Sequence, residues 1–156
     1  MRRGEKEITD RKGIDEIISR AKVCRLGLVD GEEAYIVPVC FGYDGESLFF
    51  HGAAAGRKMA ILARRQRLCF EIDAFGGVVE GEAACALTAH YHSVIGWGHA
   101  EILTDRQEKR RGLSLVLARY TRREPVFPDG AIDGTAVVRV RIESLTGKAS
   151  RWEEGD

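Results

Sequence analysis

The sequence predicts a mainly β (α+β) fold, in which an antiparallel sheet curls into a barrel and a few helices lie at its periphery. At least six strand patterns and three helix patterns occur, and they do not alternate regularly as in a parallel α/β fold. Short turns join the first strands, which favours antiparallel pairing. With this many short strands, a closed or nearly closed barrel removes exposed sheet edges.

Length and composition set the class of protein. The chain has 156 residues, of which 44% are hydrophobic and 31% charged, so residues 1–156 are expected to form a single domain. Lys+Arg and Asp+Glu both number 24, and this zero net charge disfavours nucleic acid as a partner. No apolar run is long enough for a membrane span and no signal-peptide pattern is present, so we expect no membrane partner and a cytoplasmic location. Four cysteines without a C-x-x-C pair each lie among apolar residues and are predicted to be buried thiols: Cys24, Cys40, Cys69 and Cys85.

The N-terminal half contains one helix followed by strands. A helix is predicted from about Asp10 to Ala21, because Ile14, Ile17 and Ile18 recur at helical spacing. Turn signals at Asp30-Gly31 and Asp44-Gly45 then separate strands that we expect to form an antiparallel meander. These strands are predicted over Val23–Val29, Ala34–Tyr43 and Leu48–Phe50.

The stretch from Leu48 to Met59 is the most informative for function. A strand leads through small residues to Gly56, and then Arg57 and Lys58 open a short helix that runs to about Arg64. The first N–H groups of a helix lack partners and favour negative charge, and two cations add to this preference. The stretch therefore predicts an anion site, with an ordinary strand-to-helix connection bearing two solvated cations as the alternative.

A second place for a ligand is the strand that carries Pro38. Proline cannot donate to a sheet ladder, so the strand has an open position or forms an edge there. A flat ligand can use backbone groups that are left unpaired, whereas a plain edge strand is the alternative interpretation.

The C-terminal half alternates strands with one longer helix. Gly76-Gly77 is expected to break the chain after a strand, and Gly96 and Gly98 predict a bulge or bend within another. Asp105 begins a helix with a capping-box pattern, in which Glu108 reaches back to the N-cap, and a loop then runs through Gly134. The strands are predicted over Leu68–Ile72, Tyr91–Leu103 and Ala136–Ile142, and the helix buries Leu113, Val116, Leu117 and Tyr120 before Pro125 and Pro128.

These segments, in this order and spacing, resemble a known family. The motifs that carry the resemblance are Met1-Arg2-Arg3 with Ile8-Thr9-Asp10, Tyr35-Ile36-Val37-Pro38-Val39, Phe41-Gly42-Tyr43, Leu48-Phe49-Phe50-His51-Gly52, Gly56-Arg57-Lys58, Tyr91-His92-Ser93-Val94-Ile95-Gly96-Trp97-Gly98, Glu108-Lys109 and Thr146-Gly147-Lys148. The chain resembles the flavin-binding split-barrel proteins related to pyridoxamine 5'-phosphate oxidase and, within them, the nitroimidazole-resistance group. It departs from the family pattern at His92, where an arginine is common, and at Trp97, where phenylalanine is frequent.

The resemblance implies a fold, a cofactor and a site. The fold is an antiparallel split β-barrel, and the cofactor is FMN held at a homodimer interface. The residues implied to contact FMN are Val37, Pro38, Val39, Cys40, Phe50, His51, Gly52, Arg57, Lys58, Ser93 and Val94, with Arg57 and Lys58 on the phosphate. The implied activity is an oxidoreductase that passes hydride from a reduced nicotinamide to a small-molecule acceptor such as a nitro-aromatic. His51, which ends a strand beside the predicted anion site, is a candidate catalytic proton donor, and a structural hydrogen bond to a loop carbonyl is the alternative.

Other functions stay open at this point. A non-catalytic flavin or haem carrier is the main alternative, because His51, His90, His92 and His99 offer axial ligands. A pyridoxamine 5'-phosphate oxidase proper is disfavoured by the short chain. No carboxylate or thiol completes a histidine metal site, so no metal is predicted. Trp152 either covers the flavin or packs against the barrel, and packing is favoured.

Overall fold

The computed structural model describes residues 4–80, 87–124 and 126–150. Some sequence predictions lie outside these residues, namely those for Met1-Arg2-Arg3, Cys85, Pro125 and Trp152. After a 3₁₀ turn at Gly4–Lys6, the described residues form eight strands and four helices. The strands are β1 (Glu7–Ile8), β2 (Cys24–Asp30), β3 (Glu33–Val39), β4 (Gly42–Tyr43), β5 (Ser47–Ala53), β6 (Arg67–Val79), β7 (Thr88–Ile102) and β8 (Thr135–Ser150). The helices are α1 (Arg11–Arg20), α2 (Arg57–Arg64), α3 (Arg106–Ala118) and α4 (Asp129–Gly134).

The strands form one antiparallel sheet in the order β3-β2-β6-β7-β8-β5-β4, and β1 pairs with β8. Its two edge strands, β3 and β4, are separated in the chain only by Cys40 and Phe41, so the sheet curls back on itself. The sheet is not closed, which confirms the mainly β split barrel. The predicted three-strand meander is wrong in one respect: β2 pairs with β3 and β4 with β5, but the two hairpins lie at opposite edges of the sheet.

Two apolar clusters stabilise this arrangement. The larger cluster fills the inside of the curled sheet and includes Leu26, Phe50, Phe70 and Val138, each at most 1% exposed. Burying one such side chain contributes about 1.5–3 kcal/mol. The smaller cluster lies on the outside of β5 and β8, where helices α3 and α4 cover the sheet. Its members are Phe49, Leu103, Leu113, Val116, Ile132 and Val137.

Glycines shape the longest strands. The sequence predicted a break at Gly76-Gly77, and this prediction is wrong. Strand β6 continues through these residues with a register shift between Phe75 and Gly77. The bulge predicted near Gly96 and Gly98 is confirmed as a register shift between Trp97 and Gly98. A Cβ atom on Gly98 would lie 2.6 Å from the carbonyl oxygen of Arg141, so only glycine allows this close pairing.

Aspartate side chains cap the first turns of helices α1 and α3. Asp10 accepts a hydrogen bond from Gly13 N at 2.7 Å, and Asp105 accepts from the N–H groups of Gln107 and Glu108 at 2.9 Å. The predicted capping box is incomplete, because the Glu108 carboxylate instead accepts a hydrogen bond from Arg139. Helix α4 replaces part of the predicted loop.

Three cysteines are described, and all are free thiols. Cys24 is buried as predicted, and burial raises the pKa of its thiol to about 12. Cys69 is half-buried, and Cys40 is exposed, which contradicts the prediction for that residue. Cys40 lies directly after β3, where the side chain turns outward. No helix in the described part of the chain has both the length and the apolar character needed to cross a membrane.

Candidate functional site

The start of helix α2 is open to an anion. Gly56 precedes the helix with φ 117°, a conformation that favours glycine, and no side chain caps the first turn. Its carbonyl accepts a hydrogen bond from Ala60 N at 3.0 Å, as in a regular first turn. The first N–H groups of α2 therefore have no side-chain acceptor, and the helix dipole favours a negative charge beside them.

Lys58 is the free cation at this helix start. Its side chain is half-buried, with Nζ 5.1 Å from the ring centroid of Phe50 and 3.2 Å from the point where a Cβ on Gly52 would lie. Burial lowers the pKa of the ammonium group, because desolvation disfavours the charged form. Among the described residues, neither a carboxylate nor another hydrogen-bond acceptor pairs with this ammonium.

Arg57 has carboxylate partners instead. Its guanidinium donates to Asp30 at 2.8 Å and to Glu33 at 2.9 Å, and it stacks 4.8 Å from the ring centroid of Tyr35. Hydrogen bonding to Arg57 lowers the pKa of Asp30, which also accepts from Arg64. These contacts tie α2 to the β2–β3 hairpin. The sequence did not predict these partners, although Asp30 and Glu33 flank a turn and so were candidates for pairing with nearby cations.

Strand β5 passes beneath Lys58. Phe50 is 1% exposed and belongs to the inner core, whereas His51 points to the opposite face and is exposed. His51 lies opposite Val137 of β8, and Gly52 opposite Ala136. The structure thus brings Phe50, Gly52 and Lys58 into contact and places His51 next to them on the outer surface.

The predicted β3 residues divide between the two faces of the sheet. Val39 is buried and Val37 is half-buried on the inside, whereas Pro38 and Cys40 are exposed on the outside. Pro38 lies opposite Arg25 of β2, so β3 is an edge strand along its other side. The edge position predicted from Pro38 is confirmed. Arg57 links this edge to α2 through Tyr35.

The two predicted site residues on β7, Ser93 and Val94, lie away from Lys58 within one chain. Val94 is fully buried in the inner core. Ser93 is half-buried on the outer face, with Asp73 opposite it on β6 and Lys148 opposite it on β8. Within the described part of one chain, no recorded contact joins Ser93 to Lys58.

The outer face of the sheet exposes large apolar side chains. Ile36 is 67% exposed, Ile95 48% and Trp97 43%. Ile36, Gly27, Cys69 and Trp97 follow one another across β3, β2, β6 and β7 because their registers align. This row, together with Ile95, forms the outer apolar face, which lies on the same side of the sheet as Pro38.

The histidines are dispersed. The Nε2 atom of His90 is buried and has no hydrogen-bond partner among the described residues. His99 is exposed, and its Nδ1 lies 3.8 Å from the Glu143 carboxylate. The described ranges contain no cluster of three or more His, Cys, Asp or Glu residues suited to a metal ion.

Fold and site together define a split-barrel protein in which a cationic, uncapped helix start lies beside Gly52 at the end of strand β5. The family profile described as pyridoxamine 5'-phosphate oxidase matches residues 10–149, and the chain belongs to that family. A search of the curated proteins finds no match.

Several solved structures are similar to this chain. A candidate 5-nitroimidazole antibiotic resistance protein from Bacteroides thetaiotaomicron is 29% identical, with a TM-score of 0.83 over 92% of this chain and 86% of that one. The FAD and heme binding protein from Mycobacterium smegmatis is 20% identical, with a TM-score of 0.84 over 97% and 76%. The flavocytochrome Anf3 from Azotobacter vinelandii is 22% identical, with a TM-score of 0.83 over 100% and 74%. The resemblance to the nitroimidazole-resistance-related group is confirmed.

Proposed function

We propose that the protein is an FMN-binding flavoprotein and an oxidoreductase that reduces a small acceptor such as a nitro-aromatic. The observation that carries the proposal is Lys58, a half-buried ammonium without an anionic partner among the described residues, at the uncapped start of α2. A phosphate monoester satisfies both the ammonium and the free helix N–H groups.

The residues present fit the cofactor. Lys58 would hold the phosphate. Because residue 52 is glycine, space remains beside the Lys58 ammonium: a Cβ atom on Gly52 would lie only 3.2 Å from Nζ. Arg57 would join only after leaving Asp30 and Glu33, so we assign it first to positioning α2. The other proposed contacts are Phe50 and His51 on β5, Val37, Pro38, Val39 and Cys40 at the edge strand, and Ser93 and Val94 on β7.

A homodimer is part of this proposal. Pro38 and Ser93 both lie on the outer side of the sheet, away from the inner core that Lys58 caps. A second copy seated on the outer apolar face would cover Ile36, Ile95 and Trp97, and it would bring its own outer residues to the edge strand. Light scattering at micromolar concentration tests this: we expect twice the chain mass of 17.3 kDa, and a monomer would contradict it.

Bound FMN would supply hydride and electron transfer. The chain's own part is to fix the phosphate with Lys58, to present the edge strand, and to place an imidazole at the surface beside Gly52. His51 has no hydrogen-bond partner recorded among the described residues, so its ring is free to donate a proton to a bound acceptor. The Bacteroides relative, a candidate 5-nitroimidazole antibiotic resistance protein, supports the choice of acceptor. The free thiols suit a cytoplasmic location, which we include in the proposal.

The test is turnover with a reduced nicotinamide and a nitro-aromatic, followed by the absorbance of both. Purified protein supplied with FMN should catalyse the reaction. At saturating FMN, His51→Ala should lose about 10²–10⁴-fold in rate, the usual contribution of a general acid. Unchanged turnover in His51→Ala would remove the proton role. If the protein instead oxidises pyridoxamine phosphate, its substrate is that of pyridoxamine 5'-phosphate oxidase, and the nitro-aromatic proposal is wrong.

A non-catalytic flavin or haem carrier is the second candidate. One observation favours it: the buried Nε2 atom of His90 lacks a partner among the described residues, so an imidazole nitrogen is available to iron. Haem added to the protein would then give a Soret band, and His90→Ala would abolish that band. A protein that turns over with FMN and gives no Soret band would exclude the haem carrier.

A further inference from the structure

A second lysine, Lys109 of helix α3, is buried without a counter-ion. Only 8% of its surface is exposed, and no described residue forms a hydrogen bond or an ion pair with its ammonium group. It lies on the sheet-facing side of α3 with Gly112, Leu113 and Val116, where an apolar residue would be expected. The motif Glu108-Lys109 plays no part in the proposed flavin site.

This position disfavours a lysine for two separate reasons. Lysine is almost never fully buried unless it is paired, because desolvation of the ammonium is costly. Lys109 is also only the fourth residue of α3, and the N-terminal end of a helix repels positive charge. A lysine that serves packing alone would be more stable as methionine or leucine, so the charge itself requires an explanation.

The nearby carboxylates are already engaged. Asp133 lines the same cavity as Lys109, but it pairs with Arg106 through Nε at 2.8 Å and Nη2 at 2.5 Å. Arg106, and at longer range the Lys109 charge, lower the pKa of Asp133. Glu108 accepts a hydrogen bond from Arg139. Among the described residues that line the cavity, Thr135 alone carries a hydroxyl group, and it donates to the Ala131 carbonyl.

Lys109 lines a cavity of about 500 Å³ between α2, α3 and the start of β8. Apart from Lys109, Asp133 and Thr135, the walls are small or apolar side chains, including Ala54, Ala60 and Ala136. A cavity of this size suits a small molecule, and one ammonium among apolar walls selects one with a single anionic group and a short apolar body. The cavity reaches Gly56, the residue before α2, whereas Lys58 is not among the residues that line it.

We infer that the Lys109 cavity is an anion-binding subsite for a small molecule that carries one carboxylate or phosphate group, distinct from the proposed FMN phosphate position at Lys58. The ligand's oxyanion pairs with the Lys109 ammonium, and it is also stabilised by the positive, N-terminal end of the α3 dipole. The inference does not require that the protein binds flavin.

Thermal unfolding with increasing inorganic phosphate or acetate tests the subsite, because a ligand that binds only the folded state raises Tm as its concentration rises. Phosphate can also bind at Lys58, so the titration is made in Lys58→Met and in the double variant with Lys109→Met. We expect the anion-dependent rise in Lys58→Met to vanish in the double variant. A response to acetate points to a carboxylate ligand, and a response to phosphate alone points to a phosphate ester.

Two further readouts make the outcome decisive. Without added anion, Lys109→Met should unfold at the same or a higher temperature than the wild type, since an unpaired buried charge has been removed; a purely structural lysine would give a lower Tm. FMN affinity in Lys109→Met should stay within about threefold of wild type. The inference is overturned if neither anion raises Tm in Lys58→Met, if the double variant keeps the response, or if Lys109→Met weakens FMN as much as Lys58→Met does.

Discussion

Replacement of Lys58 by methionine is the sharpest perturbation of the proposed phosphate site. In the unliganded protein it removes a half-buried cation–π contact with Phe50 at 5.1 Å, a contact that contributes about 0.5–2 kcal/mol. Burial disfavours the charged ammonium and lowers its pKa, and methionine carries no charge to desolvate. This gain in stability opposes the loss of the cation–π contact. We therefore expect the free energy of unfolding to change by less than about 1 kcal/mol, so that any effect on binding is not a consequence of misfolding.

The effect on FMN affinity should be much larger. A hydrogen bond to a charged group contributes about 1.5–3 kcal/mol, so Lys58→Met should raise the Kd for FMN by about 10–150-fold. Quenching of FMN fluorescence measures this Kd. Riboflavin, which lacks the phosphate, provides an internal control: its Kd should change little in Lys58→Met.

A matched charge control is available on helix α1. Lys12 is exposed and has no recorded contact with a predicted site residue, and Lys12→Met makes the same change in net charge. Its Kd for FMN should remain within about twofold of wild type, because exposed charges beyond a Debye length are screened. The reasoning is refuted if Lys58→Met and Lys12→Met bind FMN equally well, or if Lys58→Met weakens riboflavin as much as FMN.

Three further predictions concern packing, pH and reactivity. Gly42→Ala should destabilise the protein by about 1–3 kcal/mol in urea unfolding, because its Cβ would lie 2.6 Å from the α3 backbone, whereas Gly130→Ala has open space and should not; equal stability of the two variants would be inconsistent with this packing. Burial and a hydrogen bond to the Asp15 carboxylate raise the pKa of Tyr43 to about 12, so the stability that depends on the neutral phenol should be present below pH 10 and lost between about pH 10 and 12. Buried Cys24 also loses stability in alkali, so Tyr43→Phe should reduce this alkaline loss rather than abolish it, and an unchanged loss would contradict the assignment. Iodoacetamide should label exposed Cys40 well before buried Cys24, as measured by peptide mass spectrometry. If the edge strand contacts the cofactor, saturating FMN should slow the labelling of Cys40. Equal labelling rates with and without FMN would argue against that contact.

Local signals in the sequence predicted most of the elements but not how they pair. Helix α1 follows from its isoleucine spacing, and the start of α3 from Asp105. Periodicity and turn residues carry no information on which edge a hairpin joins, so the β4–β5 hairpin was expected beside β3. The continuation of β6 through Gly76 depends on its pairing with β7, a tertiary contact that overrides the local signal.

The candidate site was predictable in part for the same reason. The strand–loop–helix pattern placed Gly52 and Lys58 at one helix start, since these residues are close in sequence. The engagement of Arg57 by Asp30 and Glu33 depends on how α2 packs on a distant hairpin. Lys109 carried a detectable signal, a lysine on the apolar face of α3, but its cavity becomes apparent only when α2, α3 and β8 are assembled.

The most direct measurement of the central claim is the visible absorption spectrum of the purified, untagged protein, with the released chromophore identified after denaturation. We predict the bands of oxidised flavin and a released cofactor that is FMN, or, for protein isolated without it, quenching of added FMN on binding. A colourless protein that also fails to quench FMN would contradict the phosphate site at Lys58.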